Sequence, residues 1–252
     1  MKKAVWKNIW QTAIALGFLV CLWLVVWAIV GNDSIVPPFS MSVKCFFAYF
    51  VNGAFWKALG STFLRVLIAL AISFVLAGGL AFIAYLYPTF ARIFAPIIML
   101  VRVLPVFAIL YLLLTWSNAG VVPVLVAFLS LFPMLYTAFL GAFTAVDKNL
   151  IEMSKAYNVP LKKQFAQLYL PSIAPLMVRE IGAGLGFAVK LVVSAEVLVH
   201  TAKSIGALVL ETQYVYADLP KLFALVIAVC VIGFVLESLG ALCAKALQRR
   251  LQ

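Results

Sequence analysis

The chain has 252 residues, of which 66% are hydrophobic and 11% charged, and a formal net charge of +11. An ordinary soluble domain is about 45–50% apolar and about 25% charged, so this composition argues against a soluble enzyme or a nucleic-acid-binding module. The apolar residues fall in long blocks, and crossing about 30 Å of hydrocarbon takes roughly 20 of them at 1.5 Å each.

Lys2, Lys3 and Lys7 precede an uncharged apolar stretch, Ile9 to Val30. That start resembles the basic region of a signal peptide, yet no A-x-A site follows. An uncleaved first span over 9–30 is expected. Five further spans are predicted at 62–86, 93–116, 121–145, 174–199 and 221–244. Between them lie external loops 31–57 and 200–220 and one large cytoplasmic loop, 147–173. The blocks are continuous, unlike the roughly 10-residue alternation of a barrel strand, and in lipid a helix satisfies its own backbone. The predicted fold class is all-α: a polytopic membrane protein of six transmembrane helices in a single domain, 1–252.

Lys and Arg set the orientation, because they concentrate in cytoplasmic flanks. With the N-terminus inside, Lys2, Lys3, Lys7, Arg92, Lys148, Lys155, Lys162, Lys163, Lys245, Arg249 and Arg250 are internal. Lys44, Lys57, Lys203 and Lys221 are external. Both termini are therefore expected in the cytoplasm. Trp23, Trp27 and Trp116 suit either an interfacial belt or core packing.

The loop 147–173 is the amphipathic exception. Leu150, Met153, Ser154 and Tyr157 recur at helical spacing, and so do Leu161, Phe165, Leu168 and Tyr169. Asp147 suits a cap of the first helix, Asn158 a left-handed end to it, Pro160 the first turn of the next, and Pro171 a stop. Two short helices at an angle result. They lie on the inner leaflet, pack on the chain's own helix ends, or dock in a groove on a soluble partner.

Glu152-Met153-Ser154, Asn158, Leu168 and Leu170-Pro171 stand at the spacing of E-A-A, Gly, Ile and Leu-Pro. This resembles the EAA loop of ABC-importer permeases, the membrane subunits of binding-protein-dependent transporters. Met153, Ser154, Asn158 and Leu168 depart from the pattern in residue type. Val36-Pro37-Pro38, a helical stretch at 42–51, Ser61 to Val66, and Ala195-Glu196 followed by Ile205-Gly206 resemble the branch importing nitrate, sulfonates, taurine or thiamine precursors. The resemblance covers roughly residues 10–250.

It implies a type I importer fold in a bacterial inner membrane and a pathway formed with a second copy or a paralogue. It also implies two separate ATPase subunits and an extracytoplasmic solute-binding protein. Glu152, Met153, Ser154, Ala156, Tyr157, Asn158, Pro160, Leu168, Leu170 and Pro171 would couple to the ATPase. ATP and Mg would be held by that partner, and no cofactor by this chain, so it would not itself be an enzyme. Nor is there a G-x-x-x-x-G-K-[ST] run to cradle a nucleotide. The alternative is a stand-alone secondary transporter or channel, although no internal repeat is visible.

Charges inside spans are functional suspects. Lys190, Glu196 and Arg102 are the candidate pathway residues, and a cationic pathway would suit a small anionic solute. Lys190 and Glu196 are six apart and do not face one another. Arg65 and Arg102 also suit snorkelling. Pro96, Pro105, Pro123 and Pro133 kink helices or shape the path. Gly182, Gly184 and Gly186 suit close helix contact. His200 has no metal-ligand partner, no catalytic set assembles, and Cys21, Cys45, Cys230 and Cys243 form no metal or disulfide pattern.

Overall fold

A computed structural model describes residues 2–215 and 217–251; the side chains of residues 2–9, 11–13, 16, 107 and 251 lie outside it. Lys2, Lys3 and Lys7, used above for orientation, are among those. Among the described residues there is no strand. The helices in order are α1 (Lys2–Val30), α2 (Phe39–Val51), α3 (Gly53–Leu86), α4 (Pro88–Val103), α5 (Val106–Trp116) and α6 (Val122–Thr144). There follow α7 (Lys148–Ala156), α8 (Leu161–Gln164), a π-helical turn (Phe165–Tyr169), α9 (Leu170–Leu198), α10 (Ile205–Leu210), a second π turn (Glu211–Val215) and α11 (Leu219–Leu251).

Among the described residues, four helical stretches are long and apolar enough to cross a membrane: Gly53–Leu86, Val122–Thr144, Leu161–Leu198 and Leu219–Arg250. The third predicted span is not one straight rod. Leu104, with ψ 126°, leaves the helix before Pro105, and the chain resumes as α5. A proline has no N–H, and it pushes the residue before it out of the helical region. Counted together, α4 and α5 give a fifth span. The predicted first span falls on α1, whose shorter apolar part is Gly17–Val30.

The chain divides into two packed units, Met1–Trp56 with Leu208–Ala228, and Lys57–Ala207 with Val229–Gln252. In the first, Gly31 with φ 59° ends α1. Trp23 then donates its indole N–H to the Pro37 carbonyl at 3.1 Å, and its ring meets Phe39 and Phe223. Trp27 donates to Asp33 at 2.8 Å. Asp218 opens α11, pairing with Lys221 at 2.7 Å. Burial works against the Asp218 charge, but the Lys221 ammonium and N–H outweigh it and hold the carboxyl below its usual range.

The second unit is built on α6, which packs against α9, α4 and α5. Leu131, Leu135 and Phe139 of α6 are fully buried, and α3 turns Val66, Ala69 and Ala77 into the same core. Its glycines meet expectation. Gly182 of α9 lies against the backbone of Gly240 in α11, and a Cβ on Gly186 would stand 2.9 Å from the Gly233 carbonyl oxygen. Without side chains between them, the two helices approach closely.

Candidate functional site

The turn between α6 and α8 is assembled by its own local chemistry. Asp147 caps α7, its carboxylate accepting the Asn149 N–H at 2.9 Å. At the other end Asn158 adopts φ 50°. The Asn158 N–H then bonds the Lys155 carbonyl at 2.9 Å and the Val159 N–H bonds that of Ser154 at 3.0 Å. This pair of bonds is a Schellman closure, with Asn in the left-handed place that Gly usually takes. Pro160 stands one residue before the next helix, as its cap. Gln164, buried, reaches back to the Val159 carbonyl at 2.7 Å. Ser154 satisfies itself on the Ile151 carbonyl at 2.7 Å.

One expectation fails here. Pro171 does not stop a helix. The chain is helical from Leu161 to Leu198 without a break, and Pro171 sits in the first turn of α9. The preceding π turn explains this: the Leu170 N–H bonds to the Phe165 carbonyl, five residues back. That wider turn shifts the hydrogen-bond register just where the proline lacks a donor. The predicted second short helix is thus the first two turns of a long one.

The inner side of this turn is seated on aromatics. Tyr169 is buried against Phe82, Tyr85 and Phe143, and its hydroxyl lies 3.3 Å from that of Tyr85. Phe165 meets Phe82 at 4.9 Å between ring centroids. Leu168 is half-buried on the same core. The outer side is different. On α7 only Ile151 is buried, while Leu150, Met153 and, just beyond, Tyr157 are 41%, 55% and 78% exposed. Glu152, Ala156, Leu161 and Leu170 are exposed too.

The charges within spans separate into two groups. Glu196 is fully buried. Its carboxylate accepts from Arg65 at 2.9 Å, the Thr62 hydroxyl at 2.9 Å and the Gly206 N–H at 3.2 Å. Arg65 also donates to the Gly120 carbonyl and to Ser61, and Thr62 receives the Ile205 N–H at 3.0 Å. These bonds tie α3, the loop before α6, the end of α9 and the start of α10. Arg102 and Lys190 are exposed instead. Arg102 donates to Thr137 at 3.2 Å, across an open cleft of about 420 Å³ that Ser130, Pro133 and Phe187 also line. Lys190 holds its ammonium 4.8 Å from the centre of the Phe187 ring. Among the described residues, neither cation has a carboxylate partner.

Residues 74–251 match the family model for the binding-protein-dependent transport system inner membrane component. The chain belongs to that family. Among curated relatives, a Brucella melitensis protein named as an ABC transporter permease is 25% identical over 190 residues, 75% of this chain and 76% of its own. The aliphatic sulfonates transport permease SsuC of Bacillus subtilis is 23% identical over 237 residues, 91% and 83% of the two chains. Solved structures share the fold. A chain of the inward-facing MetNI methionine ABC transporter superposes with a TM-score of 0.63 at 16% identity, covering 78% of this chain and 95% of that one. A chain of a bacterial alginate ABC transporter, complexed with a pentasaccharide-bound periplasmic protein, gives 0.66 at 16% identity over 98% and 97%.

The permease is therefore an all-helical, multi-pass inner-membrane protein with the architecture of type I ABC-importer subunits. Within it, the ten residues picked from the loop fall on one contiguous feature, the α7 turn and the start of the long helix behind it. The three candidate pathway residues do not fall together: Arg102 lines the cleft and Lys190 stacks on its wall at Phe187, but Glu196 is locked in the buried knot. The Arg65–Glu196 pairing was not anticipated. The two residues are 131 apart, and only the rarity of each charge in an apolar run marked them.

Proposed function

We propose that this permease is the translocation subunit of an ATP-driven importer. It works with a second copy or a paralogue, two ATPase subunits and an extracytoplasmic solute-binding protein. ATP and Mg bind on the ATPases. The α7 turn and both termini face the cytoplasm.

One observation carries this reading. Leu150, Met153 and Tyr157 form an outward apolar ridge on a helix that is capped at both ends and buries Ile151 in the core behind it. Nothing within the chain covers that ridge among the described residues, and an apolar helical stripe fits a hydrophobic groove on a partner. ATP-driven closure of the ATPase pair displaces α7. The Schellman turn and the Gln164 bond pass the push into the unbroken helix behind it. The spans rock, and the pathway alternates between the two sides.

Inserting two glycines after Asn158 tests the coupling in reconstituted vesicles. Expected is a loss of at least about 10-fold in uptake while the ATPases still hydrolyse ATP; uptake and stimulated hydrolysis both at the parent level would refute it. The solute is a small anion, a reading supported by the uncompensated Arg102 and Lys190 beside one open cleft and by the sulfonate-named relative.

A further inference from the structure

α9 and α11 meet backbone to backbone at Gly182 and Gly240. On the α7 side of that contact, a cleft of about 630 Å³ lies between the two helices. Leu176, Ala241 and Ala244 give it apolar walls; Arg179, Lys245 and Gln248 supply polar groups.

We propose that this cleft holds the headgroup and first acyl carbons of an anionic phospholipid from the cytoplasmic leaflet. The assignment rests on the orientation proposed above. Depth is the first argument. Counting back from Leu198, roughly 20 residues of α9 fill the hydrocarbon at 1.5 Å each, which brings Arg179 to its inner boundary. Ser172 and Gln248 then lie among the headgroups. Charge is the second argument. Arg179 and Lys245 face the cleft, and Arg249 and Arg250 follow in the last turn of α11. The only carboxylate touching these cations is Glu180, at 3.4 Å from Arg179, among the described residues. A basic pocket between helices at that depth matches a lipid phosphate. Shape is the third: Leu176, Ala241 and Ala244 offer an apolar wall for acyl carbons, with Arg179 and Lys245 beside it for a phosphate.

A lipid seated there would prop the first turns of α9 against α11. Those turns continue directly into the α7 turn, so occupancy would set the rest position of the coupling element.

The test is native mass spectrometry of the purified full chain. Phosphatidylglycerol and phosphatidylcholine of equal acyl length are added, with glycerol phosphate as a soluble headgroup. Preferential retention of phosphatidylglycerol is expected. Arg179→Gln and Lys245→Gln should each lower it about 5-fold, and Lys148→Gln should leave it unchanged. Ala241→Phe fills the cleft without altering charge and should also expel the lipid. Equal retention of both lipids, equal loss with Lys148→Gln, or glycerol phosphate held as tightly as the lipid would each overturn the proposal. The measurement needs neither ATPase nor transport. Lipid selectivity with failed coupling would therefore reject the import reading alone, and coupling without selectivity would reject the lipid site alone.

Discussion

Glu196 is fully buried and held by three hydrogen-bond partners. A buried charge survives only when its partners replace the water it gave up, and Arg65, Thr62 and the Gly206 N–H do so. Glu196→Ala strands the Arg65 guanidinium, 16% exposed, and should cost about 3–5 kcal/mol, read as a lower thermal midpoint in detergent. The double change Arg65→Met with Glu196→Leu should recover part of that loss; a double variant as unstable as the sum of the singles would show that the pair is not coupled. Arg102 predicts the opposite pattern. Its side chain is exposed and makes one hydrogen bond, so Arg102→Gln should leave the thermal midpoint unchanged. Uptake should fall by about 10-fold or more, the scale of one charge-assisted bond. Unchanged uptake would remove Arg102 from the pathway.

At the scale of elements, the α7 turn was legible because its signals are local. Asp147 and Asn158 each act within a few residues of themselves, and both hold the positions their chemistry suggested. The exposed stripe of α7 was visible as a periodicity, but not that it would stay uncovered. Pro171 was misread because its meaning depends on the turn before it. A proline ends a helix unless the register has already shifted, and no residue in Phe165–Tyr169 announces a π turn. The broken third span was marked only by Pro105, one of several prolines, most of which lie within helices here. The knot joining α3 to α9 depends on tertiary placement and could not be seen. Pro171→Ala supplies the missing donor and lets the π turn relax to α geometry. Because one residue of register rotates a helix by about 100°, α7 should be re-aimed and uptake should drop in a variant that still folds. Parent-level uptake by Pro171→Ala would show that the π turn does not set the direction of α7.

For the whole molecule, the element that matters is the helix from Leu161 to Leu198. One end carries the exposed α7 turn, and the other ends in the buried Arg65–Glu196 knot. At 1.5 Å per residue its 38 residues span roughly 57 Å, long enough to carry displacement from one face of the bilayer to the other. Small residues let it slide close along α11, so Gly182→Leu should splay the pair and prevent assembly, seen as loss of the folded peak on size exclusion. The central claim is that a separate ATPase grips the α7 ridge. A photo-crosslinking residue placed at Tyr157, in membranes carrying the full complex, tests it most directly. The account predicts a crosslink to the ATPase subunit whose yield changes when ATP is added. Crosslinks to lipid alone, in a complex that still imports its solute, would contradict it.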